Sequence, residues 1–211
     1  MPYTFRIETN ASQDRLEKLI EERLAAGTEQ EKESIDRRIW DLFGEQWAVM
    51  FTDLSGFSRR VAEFGIIHFL QIIFESQRIL VPVIDRFDGI LLKSEGDSFL
   101  VIFRSPAKAV ECAVEMQRVT EEYSRGKEDA EKILLCVGVG YGKMLRIGDR
   151  DVFGAEVNAA AKLGEDTAKA HEILVTGAVR EAVKGLRGVG AEPIDVVPPG
   201  AEKAFRLVYG K

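Results

Sequence analysis

The sequence predicts an α+β sandwich with a mostly antiparallel sheet, preceded by an N-terminal helical segment. Three observations carry this. Short runs rich in β-branched and aromatic residues alternate with longer stretches of helical periodicity in a β-α-β-β-α-β order. Two of those short runs flank a tight polar turn, as in a hairpin. Residues 1–46 differ from the rest, carrying helical spacing alone among many charges.

Within that first segment Leu16, Leu19, Ile20 and Leu24 recur at helical spacing, as do Ile35, Ile39, Leu42 and Phe43. Gly27 separates the two helices, and Thr28 with Glu31 three residues later fits a capping box that starts the second. Each apolar stripe is narrow, so the pair packs on the main domain or on a second chain. A plain amphipathic cap and a regulatory or dimerising segment fit the pattern equally.

The main domain, residues 47–211, opens with Trp47-Ala48-Val49-Met50-Phe51, too short and too rich in β-branched and aromatic residues for a helix. Turn chemistry follows in Asp53-Leu54-Ser55-Gly56-Phe57-Ser58. A long helix is expected near Ile66 to Phe87, carrying Ile66, Phe69, Leu70, Ile73, Phe74 and Leu80, with Pro82 as a point of kinking. Ile90-Leu91-Leu92 and Phe99-Leu100-Val101-Ile102-Phe103 make the hairpin around Ser94 to Asp97. Pro106 starts a helix bearing Val110, Ala113, Val114 and Met116, and Ile133 to Val139 reads as a strand. A further strand, a helix from about Gly154, a strand, a short helix and a final strand complete the order.

Bulk properties exclude several classes of function. A net charge of -6 supplies no basic field for a polyanion, so nucleic acid is not an expected partner. Cys112 and Cys136 lack metal-ligand spacing and read as reduced core residues, which points to the cytoplasm. His68 and His171 are too few for a zinc constellation or a histidine relay. No N-terminal signal pattern is visible, and the most apolar stretch, Ile66 to Phe74, is interrupted by His68 and Gln71, so no membrane association is expected.

The chemistry-bearing residues are carboxylates at strand ends. Asp53 and the Lys93-Ser94-Glu95-Gly96-Asp97 turn each abut an apolar strand, which would let two carboxylates converge on hydrated Mg²⁺, a hard cation that binds through one or two carboxylates plus substrate phosphates. On spacing alone, a plain turn role for each Asp competes with this reading. Gly56 and Gly96 leave room for close approach of a triphosphate. A helix from about Gly154 would place Asn158 and Lys162 four residues apart on one face of an Ala-rich stripe, which suits either close packing or a solvated surface.

Taken together, Phe51-Thr52-Asp53-Leu54-Ser55-Gly56-Phe57-Ser58, Leu92-Lys93-Ser94-Glu95-Gly96-Asp97, Val137-Gly138-Val139-Gly140 and Asp151-Val152-Phe153-Gly154-Ala155-Glu156-Val157-Asn158 resemble the class III nucleotidyl cyclase catalytic domain. All four occur in that family's order, and the resemblance spans about residues 47–209. It implies a ferredoxin-like fold and a head-to-tail homodimer with composite sites at the interface. Asp53 and Asp97 would hold two Mg²⁺ or Mn²⁺ ions, the Leu54 carbonyl adding a ligand, with Ser55, Gly56, Phe57 and Ser58 around the triphosphate. Lys93 and Asp151 from the opposite chain would read adenine, making ATP the substrate and 3′,5′-cyclic AMP the product. Asn158 would orient the ribose and Lys162 would stabilise transition-state charge.

The resemblance also has gaps. Lys162 stands where the family generally has Arg, and an ammonium cannot offer a planar bidentate fork. Cys136 stands where an Arg often touches the triphosphate. Val197-Pro198-Pro199-Gly200 occupies the place of a phosphate-binding Lys, with Lys203 as a nearby substitute. A cyclase-homology domain of weak or absent activity, serving to bind nucleotide or dimerise, and a cyclase for another nucleoside triphosphate are therefore the alternatives.

Overall fold

The computed structural model describes residues 11–210; the side chains of residues 57–60 lie outside that description. Helices α1 (Ala11–Ala25) and α2 (Glu29–Phe43) form a hairpin at the N-terminus. Thr28 caps α2 by accepting from the Glu31 N–H, while the Glu31 side chain accepts from the Thr28 N–H, the reciprocal box read from the sequence. Leu19, Ile35, Ile39 and Phe43 bury together against Ile147 of the sheet. The apolar stripes are narrower than expected, because Ile20, Leu24 and Leu42 remain exposed.

Helix α2 passes directly into β1 (Gly44–Leu54), followed by α3 (Phe57–Phe64), α4 (Ile66–Arg86), β2 (Ile90–Glu95) and β3 (Ser98–Phe103). The long helix expected near Ile66 to Phe87 is present as α4, and Gly65, whose φ is 85°, separates it from the short α3 that precedes it. Pro82 lies inside α4 without ending it. The remainder is α5 (Pro106–Ser124), β4 (Leu135–Ile147), β5 (Asp151–Phe153), α6 (Ala155–Ala161), a π-helical turn over Lys162–Thr167, β6 (Ile173–Thr176), α7 (Gly177–Ala182), β7 (Val189–Pro193) and β8 (Ala204–Tyr209). The expected single final strand is thus two. β7 hides from the sequence pattern because it contains Gly190 and ends at Pro193, residues that weaken a strand and suit an edge.

The sheet runs β2-β3-β1-β4-β6-β8-β7, with β5 paired to β4. β4 and β6 are parallel, and every other pairing is antiparallel. Alternation along β1 divides the sheet's two faces. Ala48, Met50 and Leu54 join Phe69, Leu80, Ile84, Val110, Ala113 and Met116 in the main core beneath α4 and α5. Trp47 and Val49 face the other way, packing with Leu100, Ile102, Met144, Val157 and Ala160 beneath α6. The result is an α+β fold of the ferredoxin-like kind with an N-terminal helical hairpin.

Helix α4 qualifies the expectation about membranes, since by length and mean hydropathy its 21 residues suffice to cross one. Phe69, Ile72, Leu80, Val83 and Ile84 from this helix lie in the main core, while Ile66, Ile67, Leu70, Phe74 and Val81 on its other side are exposed.

Candidate active site

Asp53 falls in the odd-numbered series of β1, on the face shared with Trp47 and Val49, and so projects towards the α6 side of the sheet. Its antiparallel neighbour on β4 is Cys136, and from β3 the Ser98 hydroxyl donates to Asp53 Oδ1 at 3.4 Å. One residue earlier, Thr52 is fully buried and accepts the Phe99 N–H at 3.1 Å, locking the β1–β3 register that carries Asp53 and Ser98. Asp97 reaches the same point from the β2–β3 turn, where Gly96 takes φ 58°. A left-handed residue is what so tight a connection requires, and glycine meets it without a Cβ penalty.

The two carboxylates share an environment that resists charge. Burial, then the negative charge of Asp97, raises the Asp53 pKa to about 6, against the opposing pull of the Leu54 N–H and the Ser98 hydroxyl. Asp97 is raised as well, first by burial, while its own N–H, the Leu54 N–H and a hydrogen bond with Asp53 hold it down in part. Asp97 Oδ2 is buried and has no hydrogen-bond partner. An unpaired carboxylate oxygen in so confined a position is costly unless a cation meets it. Hard oxygen donors at two strand ends, one of them orphaned, suit Mg²⁺ or Mn²⁺. Among the described residues no group of three or more His, Cys, Asp and Glu is arranged to hold a metal. Two carboxylates and the neighbouring backbone oxygens are the hard donors at this point among the described residues.

Glu165, in the π turn, was not singled out from the sequence, yet its charge also raises Asp53. The neighbouring Gly164 packs so closely on β1 that a Cβ there would lie 2.8 Å from the Phe51 carbonyl oxygen. Its counterpart on β4, Gly138, would drive a Cβ to 2.2 Å from the Ala160 carbonyl oxygen. Side chains are excluded at both positions, which seats α6 and the π turn directly on the strand backbones. Glu156 fastens the same helix by accepting from the Tyr141 N–H at 2.9 Å and the Thr176 hydroxyl at 2.7 Å.

On that anchored helix Asn158 is exposed and Lys162 stands one turn on, paired with Asp166 at 2.5 Å. The ion pair raises the Lys162 pKa, so the ammonium persists. Cys136 lends no charge, because burial and then the Asp53 carboxylate push its thiol up to about 12. Ser55 follows β1 and donates its N–H to the Leu134 carbonyl at 2.8 Å, and Gly56, at φ 84°, precedes α3. The side chains of Phe57 and Ser58 lie outside the described residues. Lys203 lines a separate cavity of about 760 Å³ with Glu156 and Arg180.

Lys93 and Asp151 meet each other, Nζ to Oδ2 at 2.6 Å, although they lie on different parts of the sheet. A register shift between Leu91 and Lys93 brings them together. Leu91 packs on the main core and Leu92 on the α6 side, while Lys93 pairs with Leu100, which also lies on the α6 side. The bulge therefore aims two successive side chains at one face.

A family model described as the adenylate and guanylate cyclase catalytic domain matches residues 44–205. A putative adenylate cyclase 3 of Rhizobium meliloti is 30% identical over 154 residues, which cover 73% of this chain and 25% of that protein, so the chain spans about a quarter of its relative. Among solved structures, an adenylate/guanylate cyclase/hydrolase from Silicibacter pomeroyi superposes with a TM-score of 0.69 at 22% identity, covering 79% of this chain and 98% of that one. The guanylate cyclase domain of RhGC from Catenaria anguillulae, solved in complex with GTP, gives a TM-score of 0.65 at 17% identity, covering 79% and 98%.

Proposed function

The chain belongs to the adenylate and guanylate cyclase catalytic domain family, and on that footing we propose that it converts ATP to 3′,5′-cyclic AMP and pyrophosphate at composite sites in a head-to-tail homodimer. Residues 47–211 are the catalytic domain in this reading and residues 1–46 a regulatory or dimerising helical segment. The observation that carries it is the convergence of Asp53 and Asp97, with Asp97 Oδ2 buried and unpaired. A bound cation would complete that oxygen's coordination.

Two Mg²⁺ or Mn²⁺ ions, when bound, supply Lewis acidity at the ribose 3′-hydroxyl and at the departing pyrophosphate. Asp53 and Asp97 would hold them, joined by the Leu54 carbonyl. The segment from Ser55 to Ser58 leads into α3 and surrounds the triphosphate, with the N–H groups of Gly56 to Ser58 turned to it, since that of Ser55 is taken by the Leu134 carbonyl. Lys93 and Asp151 exchange their mutual ion pair for the adenine edge, the ammonium donating to a ring nitrogen and the carboxylate accepting from the exocyclic amine. Asn158 orients the ribose, and Lys162 stabilises negative charge as the bond to pyrophosphate breaks. The cytoplasm, where both buried thiols stay reduced and ATP is supplied, is the setting that goes with this chemistry.

Purified protein incubated with ATP and Mn²⁺ tests the proposal. Cyclic AMP and pyrophosphate are expected in equal amounts, and the absence of both across a wide range of enzyme concentrations would contradict it. A second reading, a nucleotide-binding or dimerising module with little turnover, draws support from the neutral Cys136 thiol and from the engagement of Lys162 by Asp166. Tight ATP binding without product would favour it.

A further inference from the structure

Lys93 and Asp151 line a cavity of about 660 Å³, one wall of which comes from the N-terminal helix α1 through Gln13, Asp14 and Glu17. We propose that α1 forms part of the base-binding pocket, with Gln13 contacting the nucleobase, so that the N-terminal hairpin belongs to the substrate site. This rests on the base-reading role proposed above for Lys93 and Asp151, and extends it to a segment outside residues 44–205, the span that the family model matches.

The placement is structural. Leu19 of α1 is fully buried with Ile35, Ile39, Phe43 and Ile147, which fixes the helix to the end of β4. The first turn of α1 then abuts the β4–β5 turn, where a Cβ on Gly148 would lie 3.6 Å from the Ser12 hydroxyl. That turn leads straight into Asp151. Gln13 is held by its own helix, its amide nitrogen donating to Glu17 Oε1 at 2.8 Å, which makes the amide a preformed polar group at the cavity wall.

Charge indicates which end of a nucleotide enters. The cavity has more carboxylates than cations, Asp14 and Glu17 from α1 adding to Asp151, so a triphosphate is repelled while a neutral base with donor and acceptor groups is accommodated. The walls are polar, as a base edge requires.

The test measures binding of a fluorescent ATP analogue and of inorganic tripolyphosphate to the full chain. Two variants alter the wall, Gln13→Ala and Gln13→Trp; Lys18→Ala is the control on the exposed side of α1, and thermal melting verifies folding. We expect Gln13→Ala to weaken ATP binding about three- to tenfold, the range of one lost hydrogen bond. Gln13→Trp, which fills the cavity, should weaken it further, with tripolyphosphate affinity unchanged in both. If Lys93→Ala weakens ATP binding while both Gln13 variants bind like the parent, α1 is not part of the pocket and the base-reading pair stands. If Lys93→Ala has no effect either, the base-reading role falls and this inference falls with it.

Discussion

Lys93 on β2 and Asp151 on β5 form an ion pair at 2.6 Å across strands that are not neighbours in the sheet. Each side chain holds the other, so in the proposed base-reading role an entering base would exchange one charged contact for two of its own. Replacing Lys93 by Ala would then remove a charged donor to the ring. The account expects the KM for ATP to rise and the preference for ATP over GTP to fall at least about tenfold, measured by steady-state kinetics with each nucleotide.

Asp53 and Asp97 predict an unusual dependence of stability on pH in metal-free buffer. A carboxylate whose folded pKa is raised keeps a proton that the unfolded chain has already released. Stability therefore falls as pH rises from about 4 through about 6, the interval between the unfolded carboxylate pKa and that of folded Asp53. Thermal melts between pH 4 and 8 in chelator should follow that slope, and Mn²⁺ should restore stability above pH 6 more than at pH 5.

The same strain gives a mutational signature. Asp53→Asn should abolish cyclic AMP formation and yet raise the metal-free melting temperature at pH 7.5, by about 2–4 °C for each kcal/mol of repulsion relieved in a chain of this size. A melting temperature that falls would mean that the carboxylate contributes to folding in its own right.

Lys162 is engaged by Asp166 four residues on, with both side chains more than half exposed. Asp166→Asn frees the ammonium for phosphate, and Lys162→Arg restores a planar fork at the same place. Each should raise kcat, the arginine variant by about tenfold or more if Lys162 acts on transition-state charge. The KM should change little, because the contact strengthens in the transition state.

How much of this was legible in the sequence depended on whether local pattern or tertiary contact decided the matter. The Thr28–Glu31 box, the hairpin closing at Gly96 and the strand that presents Asp53 follow from short-range chemistry and were readable. β7 was not, since its place at the sheet edge comes from pairing with β8 and not from its own apolar content. The bulge at Leu91–Lys93 was also hidden, because strict alternation would have put Lys93 on the same face as Leu91. Glu165 and the α1 wall come near the site only through the π turn and the docking of the helical hairpin. No sequence spacing encodes either proximity.

A composite site makes a further prediction. Mixing Asp53→Ala protein with Asn158→Ala protein, each inactive by itself, should regenerate activity, since a heterodimer assembles one site with both functions intact. Recovery should approach one quarter of the parent activity if subunits exchange freely, half the dimers carrying one of two sites. No recovery, with heterodimers verified by differential tagging, would place both residues in a site within one chain.

The central claim is that Asp53 and Asp97 grip divalent cations against a nucleoside triphosphate. A crystal grown with Mn²⁺ and a non-cyclisable ATP analogue, recorded at the manganese absorption edge, tests it directly. The account predicts two anomalous peaks about 2.0–2.3 Å from carboxylate oxygens of both residues, each also touching a phosphate oxygen. Nucleotide bound with no peak between the two carboxylates would contradict it.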